Sequence, residues 1–339
     1  MKLLVLTQKI DINDDILGFM HRWVAEFARR CEKITVIALG TGRYDLPANV
    51  KVLSLGKEAG ASKLKYLARF YSYVWRERKN YDAVFVHMNQ EYVVLGGWFW
   101  QLLGKKVTLW RNHQAGGFWV RIAVFFSDTV FCTSKFAFIA RYKKNKIMPV
   151  GIDTEFFRSE AAVKKTPRSI LFFGRVSPIK HPEILVDALN ILQKEGIDFT
   201  AGIVGGAPER DKTFAADLKD RIIKYGLSGK ITMAKAAPYV QAPQIFNQYE
   251  IFVNLTPAGS LDKTILEALA CGLPVLMSNN SLSAELPAEL FFDGTAEDLA
   301  AKLKLRLERS VPPPTQFREY VVSRHSLAVL ADKLFAILK

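Results

Sequence analysis

Apolar positions along the chain fall into two alternating series. Short β-branched and aromatic runs at Leu3 to Thr7, Ile34 to Ala38, Val52 to Leu55, Ala83 to His87, Val107 to Trp110 and Thr129 to Thr133 are separated by longer stretches of helical period. Ala83-Val84-Phe85-Val86 is apolar on both faces of a strand, which predicts a parallel sheet covered by helices. A polar stretch from Arg158 to Pro167 breaks the pattern in the manner of a linker. The alternation then restarts, with runs at Ser169 to Gly174, Phe199 to Val204, Ile231 to Met233, Ile251 to Leu255 and Pro274 to Met277. The pattern predicts two Rossmann-like α/β domains, residues 1–162 and 163–339, with the last helix a candidate to pack back on the first. A ligand site is expected in a cleft between them.

Composition agrees with this division. The 339 residues are 50% apolar and 24% charged, which suits two buried cores and excludes a disordered or collagen-like chain. The formal charge is +14, and it is unevenly placed. Residues 1–165 hold 27 Lys and Arg against 14 Asp and Glu, and residues 166–339 hold 20 against 19. All six Trp also lie in the first half, so anionic membrane and nucleic acid both become candidate partners. Cys31, Cys132 and Cys271 sit in apolar stretches without metal-ligand spacing and read as core residues. The first residues are too short for a secretory leader, and the run from Tyr92 to Gly104 is too short to cross a bilayer. A cytoplasmic location is expected.

Two clusters carry chemistry. Strand Ile170 to Phe173 ends in Gly174-Arg175-Val176-Ser177-Pro178-Ile179-Lys180-His181-Pro182, which sets two cations beyond a strand's carboxyl end and before a helix. That arrangement suits a diphosphate, although a loop Arg and Lys are more often simply solvated. The second cluster runs from Gly259 to Val275 as loop, helix, stop and strand, and its small residues leave amides at the helix start for phosphate. Glu267 stands there among Ile265, Leu266, Ala268, Leu269 and Ala270, so its carboxylate needs a partner: a sugar diol, or a structural group.

Together the clusters resemble the retaining glycosyltransferases of family 4, closely over residues 166–280, and the resemblance implies the GT-B architecture of two Rossmann-like domains facing a cleft. It assigns Arg175 and Lys180 to the donor diphosphate and Glu267, followed by Ala-x-Ala-x-Gly-x-Pro, to the ribose. The family's earlier Glu, eight positions before, is Gly259 here. Asp262 replaces a usually small residue and is assigned to the sugar hydroxyls, with Lys263 near the phosphates; a helix cap is the alternative for Asp262. Ser260, Leu261 and Thr264 complete that loop, and Gly205-Gly206 resembles the family's glycine turn beside the nucleotide. His113, after strand Val107 to Trp110, matches the family's His near the donor sugar, with His87 as an alternative. His113, Arg175, Lys180 and Asp262 are thus the catalytic candidates.

The resemblance implies transfer of a sugar from a nucleoside diphosphate sugar, a UDP-sugar, to an acceptor hydroxyl in glycan or glycolipid synthesis, with retention and without a metal. Departure of the diphosphate and attack from the same face follow from it, with the diphosphate oxygen receiving the acceptor proton. No further cofactor is expected. Asp11, Asn13, Asp14 and Asp15 are candidate acceptor partners, with Asn13 or Asp14 as the cap of the next helix the alternative. Basic and aromatic residues recur with helical spacing at Lys63 to Lys79 and Arg141 to Lys146, which points to a peripheral membrane contact or a solvated face. A nucleotide-sugar epimerase or hydrolase of the same shape is the alternative enzyme. A nucleic-acid-binding protein is disfavoured because no helix-turn-helix, zinc-finger or RNA-binding signature accompanies the charge.

Overall fold

The structure is a computed structural model that describes residues 1–257, 259, 261–309 and 315–338. The first series of elements is β1 (Lys2–Ile10), α1 (Phe19–Ala28), β2 (Lys33–Thr41), β3 (Val50–Ser54), α2 (Lys63–Glu77), β4 (Ala83–His87), α3 (Gln90–Leu102), β5 (Lys106–Trp110), α4 (Phe118–Phe126), β6 (Thr129–Cys132) and β7 (Asn145–Ile147). These strands pair in parallel in the order β3-β2-β1-β4-β5-β6-β7. Every residue of β4 is buried, as its unbroken apolar run predicts. Local chemistry fixes the helices on the sheet. The Ser62 hydroxyl accepts the Lys65 amide to start α2, and Phe70, Val74 and Glu77 recur at helical spacing on its inner face. Gly97 lets α3 approach α4, since a Cβ there would lie 2.5 Å from Cβ of Phe126.

The second series is β8 (Ser169–Phe173), α5 (Pro182–Lys194), β9 (Thr200–Val204), α6 (Lys212–Lys224), β10 (Ile231–Ala234), α7 (Ala242–Gln248), β11 (Ile251–Asn254), α8 (Lys263–Ala270), β12 (Val275–Met277), α9 (Ala296–Arg309), α10 (Gln316–His325) and α11 (Leu327–Leu338). Its strands are parallel in the order β10-β9-β8-β11-β12. Leu185, Leu189, Ile203, Leu218, Val253 and Leu303 from strands and helices share its core.

The division falls at residues 151 and 152 rather than 162 and 163: one unit is Met1–Gly151 with Pro238–Val240 and Ser326–Lys339, the other Ile152–Ala237 with Gln241–His325. The stretch read as a linker is built into the second unit. Phe157 is fully buried against Phe246, 6.1 Å between ring centres, and Asn247 binds the carbonyl of Arg158 and the amide of Glu160. The last helix, α11, belongs to the first unit, where Phe335 meets Phe27 edge-on and Arg30 pairs with Asp332 at 2.8 Å. The basic run Arg141 to Lys146 is not helical. A single 3-10 turn at Phe138–Arg141 leads into β7, and an outermost strand carrying lysines is a usual way to keep a sheet edge from pairing further.

Candidate functional site

In the second unit the strand order reverses between β8 and β11, and open α/β sheets bind ligands beyond the carboxyl ends of the strands at such a point. The loop after β8 carries Arg175 and Lys180; the loop after β11 carries Thr256 and Asp262. They are tied together. Lys180 Nζ donates to Asp262 Oδ2 at 2.5 Å and to Thr256 Oγ1 at 3.0 Å, and Thr256 Oγ1 donates to the same carboxylate oxygen at 2.7 Å. The other oxygen, Oδ1, accepts the Thr264 amide at 3.2 Å and hydroxyl at 2.9 Å, so Asp262 caps α8. Burial alone would raise the Asp262 pKa. The charge of Lys180, with hydrogen bonds from Lys180, Thr256 and Asn254, overrules burial and holds the carboxyl far below its usual range.

Glycine completes the edge. A Cβ on Gly205 would lie 1.8 Å from the Gly174 carbonyl oxygen, so only glycine lets the loops after β8 and β9 touch. The Gly174 amide donates to Val204 and the Val176 amide to Gly206, both at 3.0 Å. Arg175 is exposed and makes no hydrogen bond or ion pair among the described residues, which leaves its guanidinium available to an anion. Gly259, standing where the resemblance expects Glu, has φ of 122°, a conformation strained for any side chain. Leu261 is half-buried beside it, and Ser260 lies outside the described residues.

Glu267 is 3% exposed on α8, one turn after Lys263. Burial of the Lys263 ammonium pushes its pKa well down, and the Glu267 charge pulls partly back. At the end of the helix, Arg318 of α10 donates to the carbonyl of Ala270, and to Thr154 at 2.9 Å and Phe157 at 2.8 Å. Sequence reasoning did not find Arg318, Asn254 or Thr256. The last two had a signal: Asn254 directly after the apolar run Ile251-Phe252-Val253 and Thr256 two residues further on, polar residues at a strand's end that are buried at 4% and 7% exposure.

The first unit has its own polar site. A cavity of about 490 Å³ opens beyond β1 and β2, lined among others by Lys9, Asp11, Asp14, Thr41, Lys57 and Glu58. Lys9 Nζ bridges Asp14 at 2.8 Å and Asp11 at 3.1 Å. Asp14 accepts the amides of Ile16 and Leu17, so it caps that turn, whereas α1 starts later at Phe19. Glu58 accepts from Ser54 and from the Thr41 amide. His113 is exposed after β5, its Nδ1 accepting the Ala115 amide at 3.0 Å. Buried Arg111 holds that loop by donating to the His113 carbonyl at 3.0 Å and to Gln90 at 3.2 Å. His87 is a core residue, packed edge-on against Phe19 and Trp23.

Residues 153–323 match the family model Glycosyl transferases group 1. The chain belongs to this family. Among curated relatives of this group 1 chain, the lipopolysaccharide core biosynthesis mannosyltransferase LpsB of Rhizobium meliloti is 26% identical over 185 residues, 52% of this chain and 51% of its own length. The D-inositol 3-phosphate glycosyltransferase of Paenarthrobacter aurescens is 32% identical over 146 residues, covering 39% and 34%. The match therefore spans about half the length of these relatives or less. Among solved structures, Anabaena HepE in complex with UDP-glucose superposes with a TM-score of 0.79 at 16% identity, covering 100% of this chain and 99% of its own. Sucrose-phosphate synthase from Thermosynechococcus elongatus gives 0.76 at 15% identity, covering 99% and 98%. At these identities the likeness shows the fold, which is GT-B, with two Rossmann-like parallel-sheet domains.

Proposed function

We propose that this group 1 chain is a retaining glycosyltransferase of family 4 that moves a sugar from a UDP-sugar to an acceptor hydroxyl. The observation that carries the proposal is the pair of loops locked at the strand-order reversal of the second unit, with Lys180 on one and the capped start of α8 on the other. Arg175 and Lys180 take the diphosphate charge as the bond to the sugar breaks, with the partial positive charge of the α8 amino end behind them, a stabilisation aimed where charge develops. Glu267 accepts from the ribose hydroxyls, and Gly205 and Gly206 form the turn beside the nucleotide. The acceptor oxygen bonds to the anomeric carbon on the face the diphosphate leaves, and its proton passes to the departing phosphate oxygen. His113 attends the donor sugar. HepE has been solved with UDP and with UDP-glucose, which supports the donor class.

Acidic residues of the first-unit cavity, Asp11, Asp14 and Glu58, suit a hydroxyl-rich acceptor, a glycan or lipid-linked glycan. The relatives' names, among them a lipopolysaccharide core enzyme, support that class. The surface supports work at a cytoplasmic membrane face. On α2 the exposed residues Leu64, Leu67, Tyr71 and Trp75 follow helical spacing, and on α3 and α4 Trp98, Leu102, Phe118, Trp119 and Phe125 are 47% to 78% exposed. Exposed Lys63, Lys65, Arg76 and Arg121 stand next to them along the same helices. Monomeric surfaces rarely show such apolar area without a partner, and aromatic side chains flanked by cations suit an anionic bilayer. Among the described residues no helix is long and apolar enough to cross a membrane.

The test is transfer from a panel of labelled nucleoside diphosphate sugars to lipid-linked and soluble acceptors, with the product anomer assigned by NMR. Arg175→Ala and Lys180→Ala should each lower kcat/KM by about tenfold to 150-fold without loss of fold. Glu267→Gln should lose discrimination between UDP and 2′-deoxy-UDP. Release of free sugar independent of any acceptor would favour a hydrolase instead.

A further inference from the structure

The cation assigned to the donor diphosphate is already neutralised within the chain. Lys180 and Asp262 meet at 2.5 Å with only 19% and 12% of their side chains exposed, so little water screens the pair. Asp262 is anchored by one oxygen and shared by the other: Oδ1 belongs to the amide and hydroxyl of Thr264, Oδ2 to Lys180 and Thr256. The carboxylate stands at the start of α8, where a helix presents free amides and partial positive charge. It therefore occupies both partners that an incoming phosphate would use, the lysine and the helix amino end. The next residue repeats the arrangement with opposite sign, because Lys263 lies one turn before Glu267 and feels its charge.

We propose that Asp262 is an internal stand-in for the donor diphosphate, holding Lys180 oriented with its charge compensated until a nucleotide displaces the carboxylate oxygen from it. The inference rests on the assignment of Lys180 to the diphosphate. Displacement means breaking the Lys180–Asp262 pair while Asp262 keeps its cap bonds to Thr264, so the exchange involves one oxygen and no unwinding of the helix. Protonation does not provide the exit, since the carboxyl is held far below the usual range and stays charged at neutral pH. A diphosphate must thus compete with a carboxylate that never leaves the site, and the chain binds its donor more weakly than the same fold with an uncharged cap. Asp262 in this role is a positioning and affinity-setting residue, not one that touches the sugar.

Asp262→Asn separates these functions, because asparagine caps a helix as well as aspartate does and carries no charge. Calorimetric titration of the parent, Asp262→Asn and Lys180→Ala with UDP, inorganic pyrophosphate and uridine is decisive. The expected result is about tenfold tighter binding of UDP and pyrophosphate by Asp262→Asn, no change for uridine, and loss of the gain when Lys180→Ala is added. Unchanged or weaker UDP binding by Asp262→Asn, with Lys180→Ala still weakening it, would overturn the stand-in role and leave the assignment of Lys180 intact. Equal tightening toward uridine would overturn it as well. UDP affinity indifferent to Lys180→Ala would instead defeat the assignment of Lys180, and the inference with it. Asp262→Ser, a second capping residue, serves the same comparison should the Asn variant melt early.

Discussion

The carboxyl edges of the two sheets carry polar residues of similar kinds and use them in opposite ways. In the second unit the edge is locked: Gly205 against the Gly174 carbonyl, Lys180 against Asp262 and Thr256, and Arg318 over the end of α8. In the first unit the edge is open, with a cavity of about 490 Å³ whose acids are held by Lys9 and by loop amides and hydroxyls. A site that must present fixed charge to a diphosphate gains from buried, mutually committed groups, since electrostatic stabilisation depends on donors that do not reorganise. In the first unit Asp11 and Asp14 are held nearly as deeply, at 15% and 14% side-chain exposure, and it is the exposed Glu58 beside them that leaves an acid open to solvent. The difference implies that substitutions at the contacts that lock the second edge, those of Arg318 and Gly205, should act through stability as well as through binding.

The largest effect expected from that contrast is at Arg318. Its guanidinium serves three carbonyls, those of Thr154, Phe157 and Ala270, from two separate segments. Arg318→Met would leave buried acceptors unpaired and should lower stability by about 3 kcal/mol, seen as an early transition in urea. A conserved midpoint would mean that the locked edge is held elsewhere. Gly205→Ala comes next, at about 2 kcal/mol, because the new methyl meets backbone rather than a side chain that can turn away. UDP affinity should fall with it as the two loops separate. Both measurements probe whether rigidity of this edge is the source of its binding.

The exposed face of the first unit should behave differently. Trp119 and Phe125 are 61% and 71% exposed, so replacing both by Ser should change stability by no more than about 0.5 kcal/mol. Retention on vesicles containing acidic lipid should nevertheless drop several-fold relative to the parent, and salt should release the parent too. Equal retention of parent and variant would remove α4 from the membrane contact.

The same contrast explains what the sequence disclosed. Both sheets were legible because parallel strands buried on two faces leave unbroken apolar runs, of which β4 and β11 are examples. The two loops that meet at the strand-order reversal were legible as special positions because close backbone approach and helix starts demand particular residue types in short contiguous stretches, as at Gly205 and Asp262. Arg318 was not, since an arginine on a helix of mixed polarity looks solvated until the three carbonyls it reaches are known. β7 was missed because only its pairing with β6 distinguishes Asn145-Lys146-Ile147 from a charged turn. Thr41 and Glu58 join Asp11 and Asp14 only through the sheet, which sets the ends of β1 and β2 side by side. The outward aromatic face of α4 could not be drawn from the sequence because Phe118 to Phe126 is apolar almost all round, and only the packing shows that Val120, Ala123 and Val124 turn inward while Phe118, Trp119 and Phe125 face out.

The smallest expected effect is in acid, and it orders the two edges. Burial alone would raise the Asp14 pKa, but hydrogen bonds from Lys9 and from the amides of Leu17 and Ile16 bring it below the usual value. A carboxyl lowered on folding contributes stability that is fully present above its unfolded value of about 4 and is lost as pH falls through the folded one. Asp262 follows the same sign with a much larger displacement, so its contribution persists into stronger acid than that of Asp14. Carbon-13 carboxyl spectra recorded from pH 6 downward should therefore show Asp14 taking up its proton while Asp262 is still ionised. Lys9→Met should move the Asp14 titration back toward its ordinary range and leave Asp262 where it was. Were Asp262 to titrate first, the second edge would not be the more tightly committed of the two, and the Lys180 pair would be too weak to compete with a diphosphate.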